Sequence, residues 1–539
     1  MLPNLDTDSV GRAQPRDRTV RVRSIAMSLD PRTPVLVGVG QVVTRPDNSV
    51  AVSDRPSPLD LMVRALRAAA EDIDGVEEGD SAPIGNRLLS KIDRLCSVSS
   101  FVWHTANPSL LVAEQLGISP RDLVVTATGG ATPQKLVADG CAAIAAGELD
   151  VVAVVGSEAM YSRSVARRDP SVGRLDWVIQ DPASTPEARR FGSDRMPLTD
   201  LEIARSITMP VTIYPLFENA LRHHEGWSLE EHRARLGALW ASFSEVASEN
   251  PYAWITTPMS AENITTATAS NRMIAEPYTK LMVANSSVDM GAAFLLCSLE
   301  AARAAGVPED AMVFPVSHAQ GDDHWFISQR PELHRSPAIE LAGAAALAHG
   351  QTSIDEISHV DLYSCFPIAV QMSARALGLD LDDTDRRLTL TGGLTFGGGP
   401  GNNYVTHSIA SMVTRLRENP GDLGLITGLS YFASSHAVGL YSTTPPLTAF
   451  RAFNVQEQVD QLSVQEVDAD LTGTVDIETF TISHDRDVGP ALGIMAVRNA
   501  EGVRGWGTIS DPSVLAEISG TELCGHRALL DGEGTITLS

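Results

Sequence analysis

Cys365 stands in VDLYSCFPIAV, at the end of an apolar run and two residues before Pro367, where a thiol could face a pocket. A thiolate is a nucleophile and a metal ligand only when a neighbouring cation, helix N-terminus or metal lowers its pKa. No histidine adjoins Cys365, so an inert thiol fits the sequence better than a catalytic one. The other cysteines are Cys96, Cys141, Cys297 and Cys524, none in CxxC spacing, which leaves no metal pattern and no disulfide framework. A reducing cytoplasm is the expected location. Thr126, Thr128 and Thr132 could supply hydroxyls, but Thr132 ahead of Pro133 reads more simply as a helix N-cap. His407 and His436 read as structural histidines.

The cations are unevenly spread. Lys and Arg number 41 against 67 Asp and Glu, a net charge of −26 that opposes nucleic acid and anionic lipid. Residues 161–280 nevertheless hold Arg163, Arg167, Arg168, Arg189, Arg190, Arg205, Arg222, Arg272 and Lys280. A small anion would need such a local basic pocket, although solvated surface charge accounts for most of these residues. The stretch GGLTFGGGPGNN (392–403) contains a GxGxxG match, but no strand precedes it and no acid follows about 20 residues on, so it reads as a backbone loop rather than a nucleotide site.

Alternating apolar runs and amphipathic segments position these groups. Strand-like TPVLVGVGQVV is followed by a helix from Pro58 to Ile73 capped by Ser57, then by a strand at 92–97 and a helix from Pro108 to Leu116. Leu123 to Thr126, a helix from Thr132 to Ala146 and Val151 to Val155 continue a βαβα rhythm, the signature of an α/β layered fold. The segments Gly129–Ser162 and Gly398–Ser434 share one plan: a Gly-Gly turn, a helix of about four turns, a Gly/Asp turn and an apolar strand. Half the chain separates them, which makes a tandem duplication of one α/β module plausible. At 539 residues several domains are expected. They are a disordered tail or misassigned start over 1–30, a first α/β half over 31–160 and 272–305, an inserted loop domain over 161–271, a second half over 306–445, and an all-β C-terminal domain over 446–539. The strands of the last are Thr472–Ser483, Ala491–Arg498, Gly502–Ile509 and Leu529–Leu538. No apolar stretch is long enough for a membrane span, and the Arg-rich first residues lack the apolar core of a secretory leader.

The paired halves, the insertion after SEAMYS and the segment AEPYTKLMVANSSVDMGAAFLL together resemble the thiolase superfamily, with the nearest likeness to its sterol-carrier-protein-linked branch. With the β domain appended, the whole is similar to thiolase-like proteins of type 1, whose additional C-terminal domain resembles an oligonucleotide/oligosaccharide-binding fold. The resemblance implies an αβαβα thiolase fold and a site for CoA. It also implies a nucleophilic cysteine opening the helix at Thr132, whose place falls on Gly130. The His-Asp-Cys-Phe motif is matched by Tyr363-Ser364-Cys365-Phe366, which keeps the cysteine and replaces the histidine by Tyr363. The Gly-His-Pro motif falls on Gly398-Gly399-Pro400, so Gly399 stands where the base would be. Ser286 matches a serine that touches the pantetheine arm, and Arg272 and Lys280 are candidate CoA cations.

With three of four catalytic positions vacant, only Cys365 remains as a candidate catalytic residue, and ordinary acetyl-CoA acetyltransferase activity is not expected. The expected function is a thiolase-like CoA or acyl-CoA binder of the acyltransferase class in lipid or sterol side-chain metabolism. No separate cofactor and no metal are expected. The alternative is a non-enzymatic partner subunit for another acyl-CoA enzyme or a lipid-carrier protein.

Overall fold

The structure, a computed structural model, describes residues 29–47, 49–73, 83–169 and 175–539. The tail expected over 1–30 therefore lies, up to residue 28, outside the described residues. Strands β1 (Pro34–Val43), β2 (Arg94–Ser97), β3 (Asp122–Thr126), β4 (Val151–Ala159) and β5 (Arg189–Phe191) open the chain. After the inserted segment come β6 (Met273–Ala275), β7 (Tyr278–Thr279) and β8 (Asp289–Ser298). The second half holds β9 (Phe314–Asp322), β10 (His359–Asp361), β11 (Leu423–Ser430), β12 (Ser435–Ser442) and β13 (Arg451–Asn454). The remainder forms β14 (Gly473–Asp485), β15 (Gly489–Arg498), β16 (Arg504–Ile509), β17 (Arg527–Leu530) and β18 (Ile536–Leu538).

The duplication read from the sequence is visible in the sheets. The first has order β1-β8-β4-β2-β3-β5 and the second β10-β11-β12-β9-β13. The path β1-β8-β4-β2 corresponds to β9-β12-β11-β10 strand for strand. In each, the first two pairings are antiparallel and the last is parallel. β8 is buried along its whole length, DMGAAFLLCS, because strands flank it on both edges and helices cover both faces.

Helix α1 (Pro58–Glu71) starts as expected: the Ser57 hydroxyl accepts from the Asp60 N–H, Asp60 closes a capping box, and Pro58 sits at the first turn. Helices α2 (Thr132–Ala145) and α5 (Tyr404–Glu418) enter the duplicated strands β4 and β11, while α3 (Pro210–Glu225) and α4 (Leu229–Glu249) belong to the insert. Thr132 is not the N-cap of α2. Ala131 holds that position, and the Thr132 hydroxyl turns back to the Gly129 carbonyl at 2.6 Å. The strand β5 of the insert pairs in parallel along the outer edge of β3 and covers it.

The C-terminal module is less separate than the sequence suggests. β13 still pairs with β9, so the chain leaves the second-half sheet only after Asn454. In the module β14 pairs with β15 and β17, β15 with β16, and β17 with β18, while β6 joins β14 at Ser483. A bridge between Thr508 and Thr535 draws the ends of this path together, so the sheet curls toward closure. Leu529–Leu538, expected as one strand, is two: Asp531 accepts from the N–H groups of Glu533 and Thr535, and Gly534 adopts a left-handed φ of 79° in the turn. A helix capped by Asp511, α6 (Pro512–Ile518), lies between β16 and β17 and was not anticipated. Buried polar contacts weld the module to the rest. Arg504, fully buried, donates to the Ser328 carbonyl at 2.8 Å and pairs with Glu478 at 2.6 Å. Thr479 and Asn219 tie β14 to α3.

Candidate functional site

The N-terminus of α2 is where a helix dipole and free N–H groups could support a nucleophile and an oxyanion. Here two of the N–H groups at this end are already taken. The Gly129 N–H donates to the Asn402 side-chain carbonyl at 2.9 Å, and the Ala131 N–H donates to Ser430 Oγ at 3.0 Å. Gly130 has no side chain, and the space one would need is filled: a Cβ there would stand 2.8 Å from Tyr363 Cζ and 2.5 Å from the Leu429 carbonyl oxygen. Burial raises the Tyr363 phenol well above its ordinary range, so it is a neutral hydroxyl packed edge-on to Tyr404.

Cys365, partly buried, lies near this group and near the Tyr214 hydroxyl. Burial pushes its thiol up to about 12, and the pull of Tyr214 and of the local N–H groups only partly opposes this. It therefore lacks the cationic surroundings that make a thiolate. The Tyr214 hydroxyl also donates to the Tyr431 carbonyl and accepts from the Ala433 N–H, each at 3.1 Å. Tyr431 and Ala433 both have left-handed backbone, φ 56° and 51°, so Tyr214 pins a strained turn between β11 and β12.

Gly399 and Ser286, far apart in sequence, meet across one loop contact: the Gly399 N–H donates to the carbonyl of Asn285 at 3.0 Å, and Ser286 follows it, exposed. The Lys280 N–H donates to the Arg272 carbonyl, but the two side chains diverge. Arg272 is spent on the carbonyls of Met273 and His484, whereas Lys280 is exposed. The insert's other arginines do not converge on one anion site. Arg189 pairs with Asp122, Arg190 with Asp194 and the buried Arg222 with Glu522, and Arg205 donates to the Trp506 carbonyl.

Two buried carboxyls close the ends of strands around this region. Glu158, at the end of β4, accepts from the Phe101 N–H at 2.6 Å and from Ser100 at 2.9 Å, and burial raises its carboxyl to about 7. Asp361, at the end of β10, is also raised by burial and accepts from Leu390, Thr391, Ser408 and Tyr404. His407 faces Gln41 at 2.9 Å, and burial lowers it to about 3. His436 is held by Asp323 and the Ala433 carbonyl, each at 3.1 Å. Tyr214, Ser430, Asn402 and Glu158 carry no motif in the sequence; only the convergence of two halves reveals them. Cavities of about 730, 290 and 460 Å³ open elsewhere, and none is lined by Gly130, Tyr363, Cys365, Gly399 or Ser286. Among the described residues no His/Cys/Asp/Glu group could hold a metal, and no helix is long and apolar enough to cross a membrane.

Residues 454–535 match the additional C-terminal domain of thiolase-like protein type 1. A monomeric SCP2-thiolase-like protein type 1 from Mycobacterium smegmatis is 32% identical to this chain, covers 95% of it and 100% of its own length, and superposes with a TM-score of 0.79. The chain belongs to the SCP2-thiolase-like protein type 1 family. The thiolase fold extends further: an Ltp2-ChsH2(DUF35) aldolase is 20% identical, covering 77% of this chain and 99% of its own, with a TM-score of 0.54. The Acat5 thiolase of Ascaris suum, solved in complex with coenzyme A, is 13% identical over 76% of this chain and 99% of its own, with a TM-score of 0.51. No curated protein matches the chain. Gly130, where the resemblance to thiolases implied a nucleophile, is covered by Tyr363.

Proposed function

We propose that this chain is a cytoplasmic acyl-CoA-binding protein of lipid or sterol side-chain metabolism that retains the thiolase scaffold but does not run thiolase condensation or thiolysis. The observation that carries the reading is the packing of Tyr363 into the space above Gly130. A thiolase step needs a thiolate to attack a thioester and a base to move the proton. Gly130 supplies no nucleophile, Gly399 no base, and Cys365 stays protonated. The neutral Tyr363 hydroxyl can donate a hydrogen bond to a carbonyl oxygen without forming a covalent bond. The exposed Ser286 and Lys280 support a CoA role at the loop beside Gly399, and the shared fold with a thiolase solved with coenzyme A supports the same ligand. The five thiols are unpaired, which supports a reducing compartment. The cover that β5 places on β3 supports a monomer, the state named for the Mycobacterium smegmatis relative.

Titration calorimetry of the full chain with CoA and acetyl-CoA, alongside acetoacetyl-CoA thiolysis, tests the reading. Binding without turnover is expected, and turnover at an ordinary thiolase rate overturns it. The second reading, a non-enzymatic subunit, is favoured by the same filled position and by the structural likeness to an aldolase solved with a DUF35 component. Absence of CoA and acyl-CoA binding would select it.

A further inference from the structure

A polar cleft of about 460 Å³ opens at the end of β9, between Lys135 on α2, the insert and the chain that follows β13. Two cations line it. The Lys135 ammonium donates to Ser435 Oγ at 2.8 Å, its one hydrogen bond among the described residues. Its nearest carboxylate, Asp322, is 3.9 Å away, and the same oxygen of Asp322 already accepts from the Ser435 hydroxyl at 2.5 Å. An ammonium has three donors, so this lysine retains hydrogen-bonding capacity and its charge is only partly offset. Burial pulls the Lys135 amine below its ordinary range, the direction expected of an under-compensated cation. Arg195 lies over Trp325, 4.7 Å from the ring centroid, and is in no ion pair among the described residues. Stacking on the indole leaves the guanidinium edge free to donate.

Each acid of the same wall accepts a hydrogen bond from a neighbouring side chain, although Asp460 is exposed and Asp322 partly so. Asp323 is buried and accepts from Ser336, the Ala338 N–H and His436. Asp460 accepts from Gln456 at 2.8 Å. The remaining lining includes the carboxamides of Gln320 and Gln329, suited to hydroxyl groups. We propose that this cleft binds a small hydroxylated anion, a phosphate ester or a carboxylate, with its charge shared by Lys135 and Arg195. The site shares no residue with the CoA reading above and does not depend on it.

The test is calorimetric titration of the full chain with glycerol 3-phosphate and with gluconate, each to about 10 mM, the range that detects millimolar affinity. Saturable binding of at least one is expected, and which one binds identifies the head group. Lys135→Met and, separately, Arg195→Gln should each weaken it about ten-fold, the scale of one charge-assisted hydrogen bond. Arg195 is exposed, so its variant keeps the test open if Lys135→Met misfolds. Binding of neither compound, or equal binding by the parent and the folded variants, overturns the proposal.

Discussion

The Tyr363 ring occupies the volume that a side chain at Gly130 would enter, with Cζ 2.8 Å from the position of its Cβ. The two residues are 233 positions apart and belong to different halves. The missing side chain at Gly130 and the ring that fills the space above it are therefore one packed arrangement. A cysteine placed at position 130 would meet that ring.

Gly130→Cys should leave acetoacetyl-CoA thiolysis at background and destabilise the protein by about 1–3 kcal/mol, the scale of core overpacking. Adding Tyr363→Ala should recover part of that loss. Denaturant unfolding of the single and double variants measures the coupling; equal destabilisation in both would contradict the steric account.

Cys365, with its thiol at about 12, should resist alkylation. At pH 8 only about one molecule in ten thousand is a thiolate, so iodoacetamide should modify it about a thousand-fold more slowly than a free thiol. Peptide mass spectrometry of native and urea-unfolded protein reads this directly. Fast native labelling would show an activated cysteine.

Glu158 should make stability fall as pH rises. Its folded carboxyl titrates near 7 against an ordinary 4.5, so between these values the folded state holds the proton more tightly. Stability from this group is full below about 4.5 and is lost as the pH climbs through about 7, by up to about 3 kcal/mol. In Glu158→Gln that loss is absent, so the variant should gain on the parent between pH 5 and pH 8. Parallel stability curves for the two proteins would refute the assignment.

Arg504→Met removes the buried partner of Glu478 and a donor to carbonyls of the second half. It should cost about 3–5 kcal/mol, the range for breaking a buried ion pair from one side. Because the module is welded to α3 and to residues 328–331, scanning calorimetry should show one transition for the parent. A separate melting event for residues 454–539 would show that the module is autonomous.

The local patterns in the sequence already determined much of this protein. Ser57 with Pro58 caps α1, and the apolar β-branched run TPVLVGVGQVV reads as the strand β1; both depend on neighbours in the chain. The repeated turn-helix-strand plan announced two halves because each half folds by the same short-range rules, and the sheet orders agree. The resemblance to thiolases implied missing catalytic side chains at Gly130 and Gly399. Tertiary structure decided what fills those gaps. Tyr363, Asn402 and Ser430 converge on the N-terminal end of α2 from residues 233 to 299 positions away, and no periodicity encodes such contacts. It also decided the fate of the arginines. Sequence showed a local excess of charge, but only the fold brings Asp122 to Arg189 and Glu522 to Arg222, while leaving Arg195 on an indole. Charge is a property of composition, whereas compensation is a property of distance, and distance is set by packing.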